Sequence, residues 1–245
     1  MIEIGSLTDV GLVRKENQDT FAILKHEQTG HTIGVVCDGM GGAAGGQMAS
    51  RMAVETYLRE VTAHLRPDMT PEQLREASAY AVSVANRTIW EAAESHPEYR
   101  GMGTTLVSAI SCEDGVVVTN VGDSRAYHIT HEGIRRITVD HSLVQMMLDR
   151  GDLTLDEARD YPGKNYITRA VGTEPTVESD LFHAWLERGD AILLCSDGLH
   201  NEVDEQEILF EVVHGVNNDN CCQRLLDIAN MRGSPDNVTS VLVMV

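Results

Sequence analysis

Apolar residues follow a helical spacing in two long segments of the chain, at about residues 45–65 and 70–95. In both they recur at intervals of three and four residues, as they do on the buried face of an amphipathic helix. Thr70 before Pro71 predicts a helix N-cap followed by proline in the first turn, and His96-Pro97 predicts the end of that helix. Both segments are predicted to be packing helices.

Shorter apolar runs, separated by turn residues, predict β-strands. Turns such as Glu113-Asp114-Gly115 and His131-Glu132-Gly133 are short enough to join antiparallel strands as hairpins. Two more helices are predicted at 205–214 and 220–231. The predicted strands cover residues 1–9, 21–24, 32–38, 104–111, 115–121, 126–129, 134–137, 181–186, 191–195 and 238–245.

The segment from Val139 to Gly172 interrupts this regular order. It holds two short amphipathic pieces, 142–150 and 154–160, and the turn Tyr161-Pro162-Gly163. A long irregular segment in a compact domain is usually a lid or a substrate-facing loop. Because no internal repeat and no linker interrupts the chain, residues 1–245 are expected to form a single domain.

Composition restricts the possible partners. The chain has 19 basic and 38 acidic residues, a formal charge of −19, which argues against a nucleic-acid-binding protein because a phosphate backbone favours a basic face. No apolar run approaches the roughly 18 residues of a membrane span. The N-terminus lacks the basic and apolar regions of a signal peptide. We therefore expect a cytoplasmic protein.

The five cysteines are expected to be reduced core residues. Their number is odd, most lie in apolar runs, and no two have the Cys-x-x-Cys spacing of a zinc site. The alternative is a free surface thiol at Cys221 or Cys222.

Several aspartates stand where apolar runs end. In TIGVVCDGMGG, residues 32–42, Asp38 precedes a glycine cluster, and AILLCSDG, residues 191–198, repeats the pattern at Asp197. Asp236 precedes the last strand, and Asp123 follows the run 115–121. In an antiparallel sheet the end of one strand lies beside the start of its neighbour, so the acids at 38, 197 and 236 are expected to share one sheet edge.

Clustered carboxylates favour bound cations, because unpaired buried charges repel one another. Oxygen ligands favour Mg²⁺ or Mn²⁺, and Gly39 leaves its carbonyl free to approach a metal. Two such ions would activate a water for attack on phosphorus. For any single Asp-Gly pair an ordinary turn remains the alternative, but the set together predicts a site.

The polar loop Gly11 to Asp19 has two interpretations. It is either a solvated loop or a segment that projects Arg14, Asn17 and Asp19 into the site, where Arg14 would hold phosphate oxygens with its planar guanidinium. Competing chemistries lack their motifs: the sequence has no P-loop, no dinucleotide fingerprint and no G-x-S-x-G elbow.

Seven motifs, in order along the chain, resemble the metal-dependent serine/threonine protein phosphatases of type 2C in their compact bacterial form. The resemblance implies an α+β fold in which two antiparallel sheets pack together with helices on both outer faces. The motifs are RKENQD (14–19), VVCDGMGG (35–42), GMGTTL (101–106), VGDSRAY (121–127), DHSL (140–143), LLCSDGL (193–199) and PDNVT (235–239).

The resemblance also implies roles for individual residues. Asp38 would bridge two metals and Gly39 would contribute its carbonyl, while Asp197 and Asp236 complete the ligands of the second metal. Asp123, with Asp197, would hold a third, weaker metal. The remaining implied roles are water-mediated metal contact for Asp19, phosphate binding for Arg14, and a flap at about 139–172 within a single catalytic domain.

Met40 departs from the animal-type pattern, in which a histidine follows the Asp-Gly pair as a proposed general acid. Bacterial relatives commonly carry methionine there. The favoured proton donor is then a metal-bound water, with His141 as a second candidate; alternatively, His141 only caps the segment that follows it.

The expected function is therefore hydrolysis of phosphoserine and phosphothreonine in proteins by a metal-activated water, opposing a serine/threonine kinase in signalling. We expect a monomer that requires Mn²⁺ or Mg²⁺. The alternatives are a non-catalytic phosphoprotein-binding module and a hydrolase of small phosphate esters. The acidic composition further suggests a preference for phosphosites flanked by basic residues.

Overall fold

Two antiparallel sheets pack face to face in the computed structural model of the chain, which describes residues 3–159, 161–215 and 218–244. The first sheet has the order β2-β3-β5-β6-β9, with the short β4 paired to β3, and the second has the order β1-β11-β10-β7-β8. The strands are β1 Glu3–Asp9, β2 Asp19–Lys25, β3 Thr32–Met40, β4 Gly103–Thr104, β5 Leu106–Cys112, β6 Gly115–Val121, β7 Arg125–Thr130, β8 Gly133–Arg136, β9 Asp180–Trp185, β10 Ala191–Cys195 and β11 Val238–Met244.

Helices cover the outer face of each sheet. The first sheet carries α1 and α2, and the second carries α6 and α7. Thr70 caps α2 through a reciprocal capping box with Gln73, as the sequence predicts. The helices are α1 Gly42–His64, α2 Pro71–Ser95, α3 Leu143–Arg150, α4 Leu155–Arg159, α5 Asp197–His200, α6 Glu205–His214 and α7 Asn218–Met231, with a 3₁₀ turn at Pro97–Tyr99.

Strand β3 shows how the layers are built, because its side chains alternate between two buried faces. Ile33, Val35 and Cys37 pack against the helices α1 and α2. Val36 instead lies in the apolar layer between the two sheets, together with Val107, Leu194 and Val241. A strand buried on both faces reads as a continuous apolar run, which explains why the sequence 32–37 lacks polar alternation.

The predicted fold class is confirmed: two packed antiparallel sheets are flanked by helices on both outer faces. Most predicted elements are present with ends shifted by three residues or fewer. The predicted strand 104–111 is divided at Thr105, whose backbone and hydroxyl bond to β3 rather than continuing one ladder. The predictions for 1–9, 154–160 and 238–245 include Met1, Ile2, Asp160 and Val245, which lie outside the described residues.

The segment 139–172 contains α3 and α4 and is tied to the rest of the molecule at its two ends. The His141 amide donates to the Gly122 carbonyl at 2.9 Å, and an isolated bridge joins Val171 to Thr104. A second isolated bridge, between Ser142 and Ile167, lies within the segment. Ser142, rather than His141, caps α3 by accepting a hydrogen bond from the Gln145 amide. In the described part of the chain, no helix is long and apolar enough to cross a membrane.

Candidate metal centre

Five carboxylates, three of them buried, collect at one end of the sandwich, where strands of both sheets begin or end. The prediction that Asp38, Asp197 and Asp236 share one sheet edge is wrong. Asp38 lies in β3 of the first sheet, whereas Asp197 and Asp236 flank β10 and β11 of the second. The acids come together because the two sheets are stacked, so the cluster lies between the sheets rather than along one of them.

Asp38 is held on the inter-sheet side of β3 by its position two residues after Val36. Its backbone is fixed by two threonines: the Asp38 amide donates to Thr105 Oγ1 at 2.9 Å, and the Asp38 carbonyl accepts from Thr104 Oγ1 and from the Thr105 amide, each at 2.8 Å. These three bonds fix the backbone from which the carboxylate projects.

Asp19 lies directly opposite Asp38 on the neighbouring strand β2. Ser196 Oγ donates a hydrogen bond to Asp19 Oδ2 at 2.7 Å and accepts one from the Thr239 amide at 3.0 Å. Asn17 accepts from the Asp19 amide at 3.0 Å. A serine next to Asp197 therefore connects the acids of the two sheets.

Asp197 and Asp236 are brought together by close packing of Gly198 on the chain at Asn237. A Cβ atom at Gly198 would lie 2.1 Å from the Asn237 carbonyl oxygen, so only glycine permits this approach. Asn237 also accepts from the Gln18 amide at 2.8 Å and donates to the carbonyls of Val10 and Glu16. It thereby anchors the 11–19 loop beside the acids.

Asp123 lies in the turn between β6 and β7 and is also buried. His200 Nε2 donates to the Asp123 carbonyl at 3.0 Å. Burial lowers the pKa of His200 to about 3, so this imidazole stays neutral.

The 11–19 loop carries Arg14 to the rim of the cluster. Arg14 Nη2 contacts Asp236 Oδ2 at 2.6 Å, and the Arg14 side chain is 55% exposed. The guanidinium is therefore held by one acid of the cluster while the rest of it faces solvent.

Gly39 follows Asp38 in β3, and its amide donates to the Gln18 carbonyl at 3.2 Å.

The carboxylates strongly perturb one another. Burial, followed by the charges of Asp19, Asp197, Asp123 and Asp236, raises the pKa of Asp38 well above its usual range. Burial is also the main cause that raises the pKa of Asp19 and Asp197 to about 6 and that of Asp123 to about 8. Such a cluster is costly to ionise unless cations compensate its charge.

The donor atoms fit hard divalent cations. One oxygen in each of Asp19, Asp123 and Asp197 is buried and has no hydrogen-bond partner. All the donors are oxygens, as Mg²⁺ and Mn²⁺ prefer. Within the described residues, no three of these acids bring oxygens within 4.8 Å of one another. The cluster thus resembles a site completed by waters and a carbonyl, since Mg²⁺ usually keeps several waters.

His141 does not face the acids. Its Nδ1 accepts a hydrogen bond from the Gly122 amide at 3.0 Å, which leaves the proton on Nε2 to be donated to Asp180 at 3.2 Å. Burial lowers the pKa of the His141 imidazole below its ordinary value, and the positive charge of the nearby Arg169 lowers it as well. His141 instead links the β6–β7 turn to β9, so the expectation that it caps the following segment is wrong.

Comparison with known proteins decides the family. A sequence model described as Protein phosphatase 2C matches residues 13–227. The chain belongs to the protein phosphatase 2C family. A serine/threonine phosphatase of Listeria monocytogenes is 37% identical over 239 residues, covering 96% of this chain and 93% of that protein. A protein phosphatase of Streptococcus pneumoniae is 37% identical over 244 residues, covering 99% and 97%.

Solved structures agree with this assignment. A serine/threonine phosphatase from Staphylococcus aureus superposes with a TM-score of 0.94 at 36% identity, covering 100% of this phosphatase and 95% of that chain. The serine/threonine phosphatase of Mycobacterium tuberculosis gives 0.87 at 30% identity, covering 100% and 98%. The predicted resemblance and enzyme class are confirmed, and metal dependence is general in this family.

Three residues that organise the phosphatase site were not singled out by the sequence. Thr105, Ser196 and Asn237 lie inside the quoted motifs GMGTTL, LLCSDGL and PDNVT, but each acts on a partner far along the chain. Only their position inside those motifs could have identified these three residues from the sequence.

Proposed function

We propose that this phosphatase removes phosphate from phosphoserine and phosphothreonine in proteins, using Mn²⁺ or Mg²⁺ held by the acids at the end of the sandwich. The observation that carries the proposal is the set of buried aspartate oxygens without hydrogen-bond partners in a chain of this family. Cations would supply the charge that these oxygens lack.

The acids would take the roles that the family resemblance implies. Asp38, whose pKa is influenced by all four other acids, would be the ligand shared by two ions, with the Gly39 carbonyl beside it. Asp197 and Asp236 would complete the ligands of the second ion, Asp123 with Asp197 would hold a third, weaker ion, and Asp19 would act through waters. When bound, such ions lower the pKa of water and offset the charge that develops on the phosphoryl oxygens.

Arg14 is proposed to bind the substrate phosphate. Its guanidinium lies against Asp236 at 2.6 Å and is otherwise exposed, so it can turn toward a phosphate while remaining near the cluster. The planar guanidinium matches phosphate oxygens in pairs.

A groove of about 1100 Å³ adjoins Asp123 and Asp197 and is proposed to receive the polypeptide around the phosphosite. Residues of α3 and α4 line one side, which supports a substrate-facing flap at 139–172 within a single catalytic domain spanning 1–245. Acidic side chains outnumber basic ones along this groove, in keeping with basic residues around the phosphosite. The acidic lining residues are Asp123, Asp140, Asp149, Asp197, Glu202, Asp204 and Glu205.

The leaving group is proposed to receive its proton from a water at the metal centre. Met40 offers no proton, and both nitrogens of His141 are engaged away from the acids. We further propose a cytoplasmic monomer that acts on the products of a serine/threonine kinase.

Phosphate release by the purified protein tests this proposal. With Mn²⁺, a phosphothreonine peptide should be hydrolysed much faster than free phosphoserine, and chelation should stop both reactions. Faster hydrolysis of free phosphoserine would instead indicate a hydrolase of small esters. Calorimetric binding of the peptide without phosphate release would indicate a binding module.

A further inference from the structure

A second group of metal-binding side chains lies far from the acids. Cys112 ends β5, Asp114 is in the β5–β6 turn, and His183 is in β9. Strand β5 runs from Leu106, next to the Asp38 contacts of Thr105, to Cys112, a rise of about 20 Å at roughly 3.3 Å per residue. The two clusters therefore occupy opposite ends of the first sheet.

Strand register puts Cys112 and His183 on the same face of the sheet. Cys112 pairs with Gly115, Gly115 pairs with Trp185, and His183 lies two residues before Trp185. Gly115 has no side chain to separate them, and a Cβ atom there would lie 2.0 Å from the Ala184 carbonyl oxygen. The glycine thus lets the thiol and the imidazole approach across β6.

The three ligand atoms are spaced as in a tetrahedral metal site. Cys112 Sγ is 3.7 Å from His183 Nε2 and 3.5 Å from Asp114 Oδ1, and the nitrogen is 3.4 Å from the oxygen. Tetrahedral zinc with its usual bond lengths separates S from N and S from O by about 3.6 Å, and N from O by about 3.4 Å. Each observed separation is within about 0.1 Å of these values.

The orientation of the imidazole favours coordination over a catalytic relay. In a nucleophile–histidine–acid relay the thiol and the carboxylate lie on different ring nitrogens. Here both lie on Nε2. One nitrogen cannot serve the sulfur and the carboxylate as hydrogen-bond partners equally, but its lone pair can point at an ion placed between them.

We propose that Cys112, Asp114 and His183 bind one Zn²⁺ ion at the edge of the first sheet, with solvent in the fourth position. Of the described residues, only this group brings three such ligand atoms within 4.8 Å of one another. The Asp114 side chain is 39% exposed, which gives an ion and a water access. A thiolate, a carboxylate and a neutral imidazole balance the charge of a divalent ion.

Binding at this site releases a proton and joins the edge strand β9 to the β5–β6 hairpin. Burial, followed by the hydrogen bond to Asp114, raises the pKa of the Cys112 thiol to about 11, so the free group is a thiol and gives its proton to solvent when the ion binds. The site is separate from the catalytic acids and would stabilise the sheet rather than take part in hydrolysis.

Cobalt substitution tests the site directly, because Co²⁺ bound to thiolate absorbs in the near ultraviolet and Co²⁺ bound only to oxygen does not. Metal-free protein titrated with Co²⁺ should develop this band to the amplitude of one thiolate-bound ion per chain, in addition to any Co²⁺ taken up by the acids, and Zn²⁺ should remove it. The band should persist in Asp38→Asn, in which the catalytic cluster is altered, and in Glu113→Gln, a neighbouring exposed acid that is not a ligand.

Loss of each ligand should have a distinct effect. Cys112→Ser should abolish the band, and His183→Gln or Asp114→Asn should weaken Co²⁺ binding by more than the roughly 10–100-fold that loss of an outer-shell partner costs. Absence of the band in the wild-type protein, or its persistence in Cys112→Ser, would overturn the proposal. The wild-type titration decides the matter even if a variant fails to fold.

Discussion

Asp38 illustrates why the centre of this phosphatase requires cations. Its side chain is half-buried, its backbone is fixed by Thr104 and Thr105, and desolvation together with four other acids raises the pKa of its carboxyl. Because the backbone holds this carboxyl among the other acids, protons or metal ions are needed to relieve the repulsion. The same rigidity fixes the carboxylate in position for a bound ion.

Arg14→Ala should mainly raise KM. A lost charge-assisted hydrogen bond to phosphate costs about 1.5–3 kcal/mol, which corresponds to roughly a 10–150-fold fall in kcat/KM. Steady-state kinetics on a phosphothreonine peptide with Mn²⁺ measures this change. Arg14→Lys keeps the positive charge but not the planar guanidinium, so its kcat/KM should lie between those of the wild type and Arg14→Ala. An effect confined to kcat would show that Arg14 does not act by binding ground-state phosphate.

Single residues were predictable where chemistry and local pattern coincide. Apolar runs that end in Asp-Gly marked Asp38 and Asp197, of which Asp197 is buried and Asp38 half-buried. The contacts of Ser196 and Asn237 could not be predicted, because their partners lie 177 and 219 residues away along the chain. The bond of His141 to Gly122 could not be predicted either, because it depends on how the segment after β8 packs on the β6–β7 turn.

At the scale of elements, α5 and the start of β11 set the separation of Asp197 and Asp236. Helix α5 begins at Asp197, and Gly198 packs directly on the Asn237 carbonyl. Gly198, which has no side chain, thereby allows two elements that are distant in sequence to pack in direct contact.

Gly198→Ala should destabilise the protein and weaken metal binding. The added methyl would overlap the Asn237 carbonyl oxygen, and overpacking of this kind costs about 1–3 kcal/mol. Gly133→Ala is a matched control, since a Cβ there meets nothing within 4 Å and its backbone conformation is ordinary. Chemical denaturation and Mn²⁺ titration of both variants would measure the effects; equal behaviour would refute the packing argument.

Element types and order were predictable because the helical and strand spacings are strong over most of the chain. The division of the 104–111 strand was not, because a local run of β-forming residues gives no sign that Thr105 bonds to Asp38. No local sequence pattern indicates which strands belong to which of the two sheets. Hairpins identify sequence neighbours, whereas pairs such as β1 with β11 join the two ends of the chain.

At the scale of the whole molecule, the metal-free protein should lose stability as the pH rises. The pKa of Asp19 and Asp197 is about 6 and that of Asp123 about 8, against an ordinary value of 3.8. Below about pH 6.5 the lowered pKa of His200 acts in the opposite direction, but between about pH 6.5 and 8 the folded chain binds more protons than the unfolded chain, and the free energy of unfolding falls as they dissociate. Thermal melts in chelator across this range should show the decline.

Metal ions and a single substitution should each reduce that decline. Saturating Mn²⁺ compensates the carboxylate charge, and Asp123→Asn removes a carboxyl whose pKa is about 8, so the melting temperature of this variant should change less above pH 7. Melting temperatures in chelator that rise with pH in this range would contradict the electrostatic description of the cluster.

The most direct test of the metal-centred mechanism is the activity of Asp38→Asn. The substitution keeps the shape of the side chain but removes the charge proposed to bridge two ions. Because it also relieves repulsion, the variant should melt no lower than the wild type in chelator. Its Mn²⁺-dependent release of phosphate from a phosphothreonine peptide should fall at least about 1000-fold, equivalent to about 4 kcal/mol. Activity within about twofold of the wild type in the folded variant would contradict a mechanism built on this aspartate.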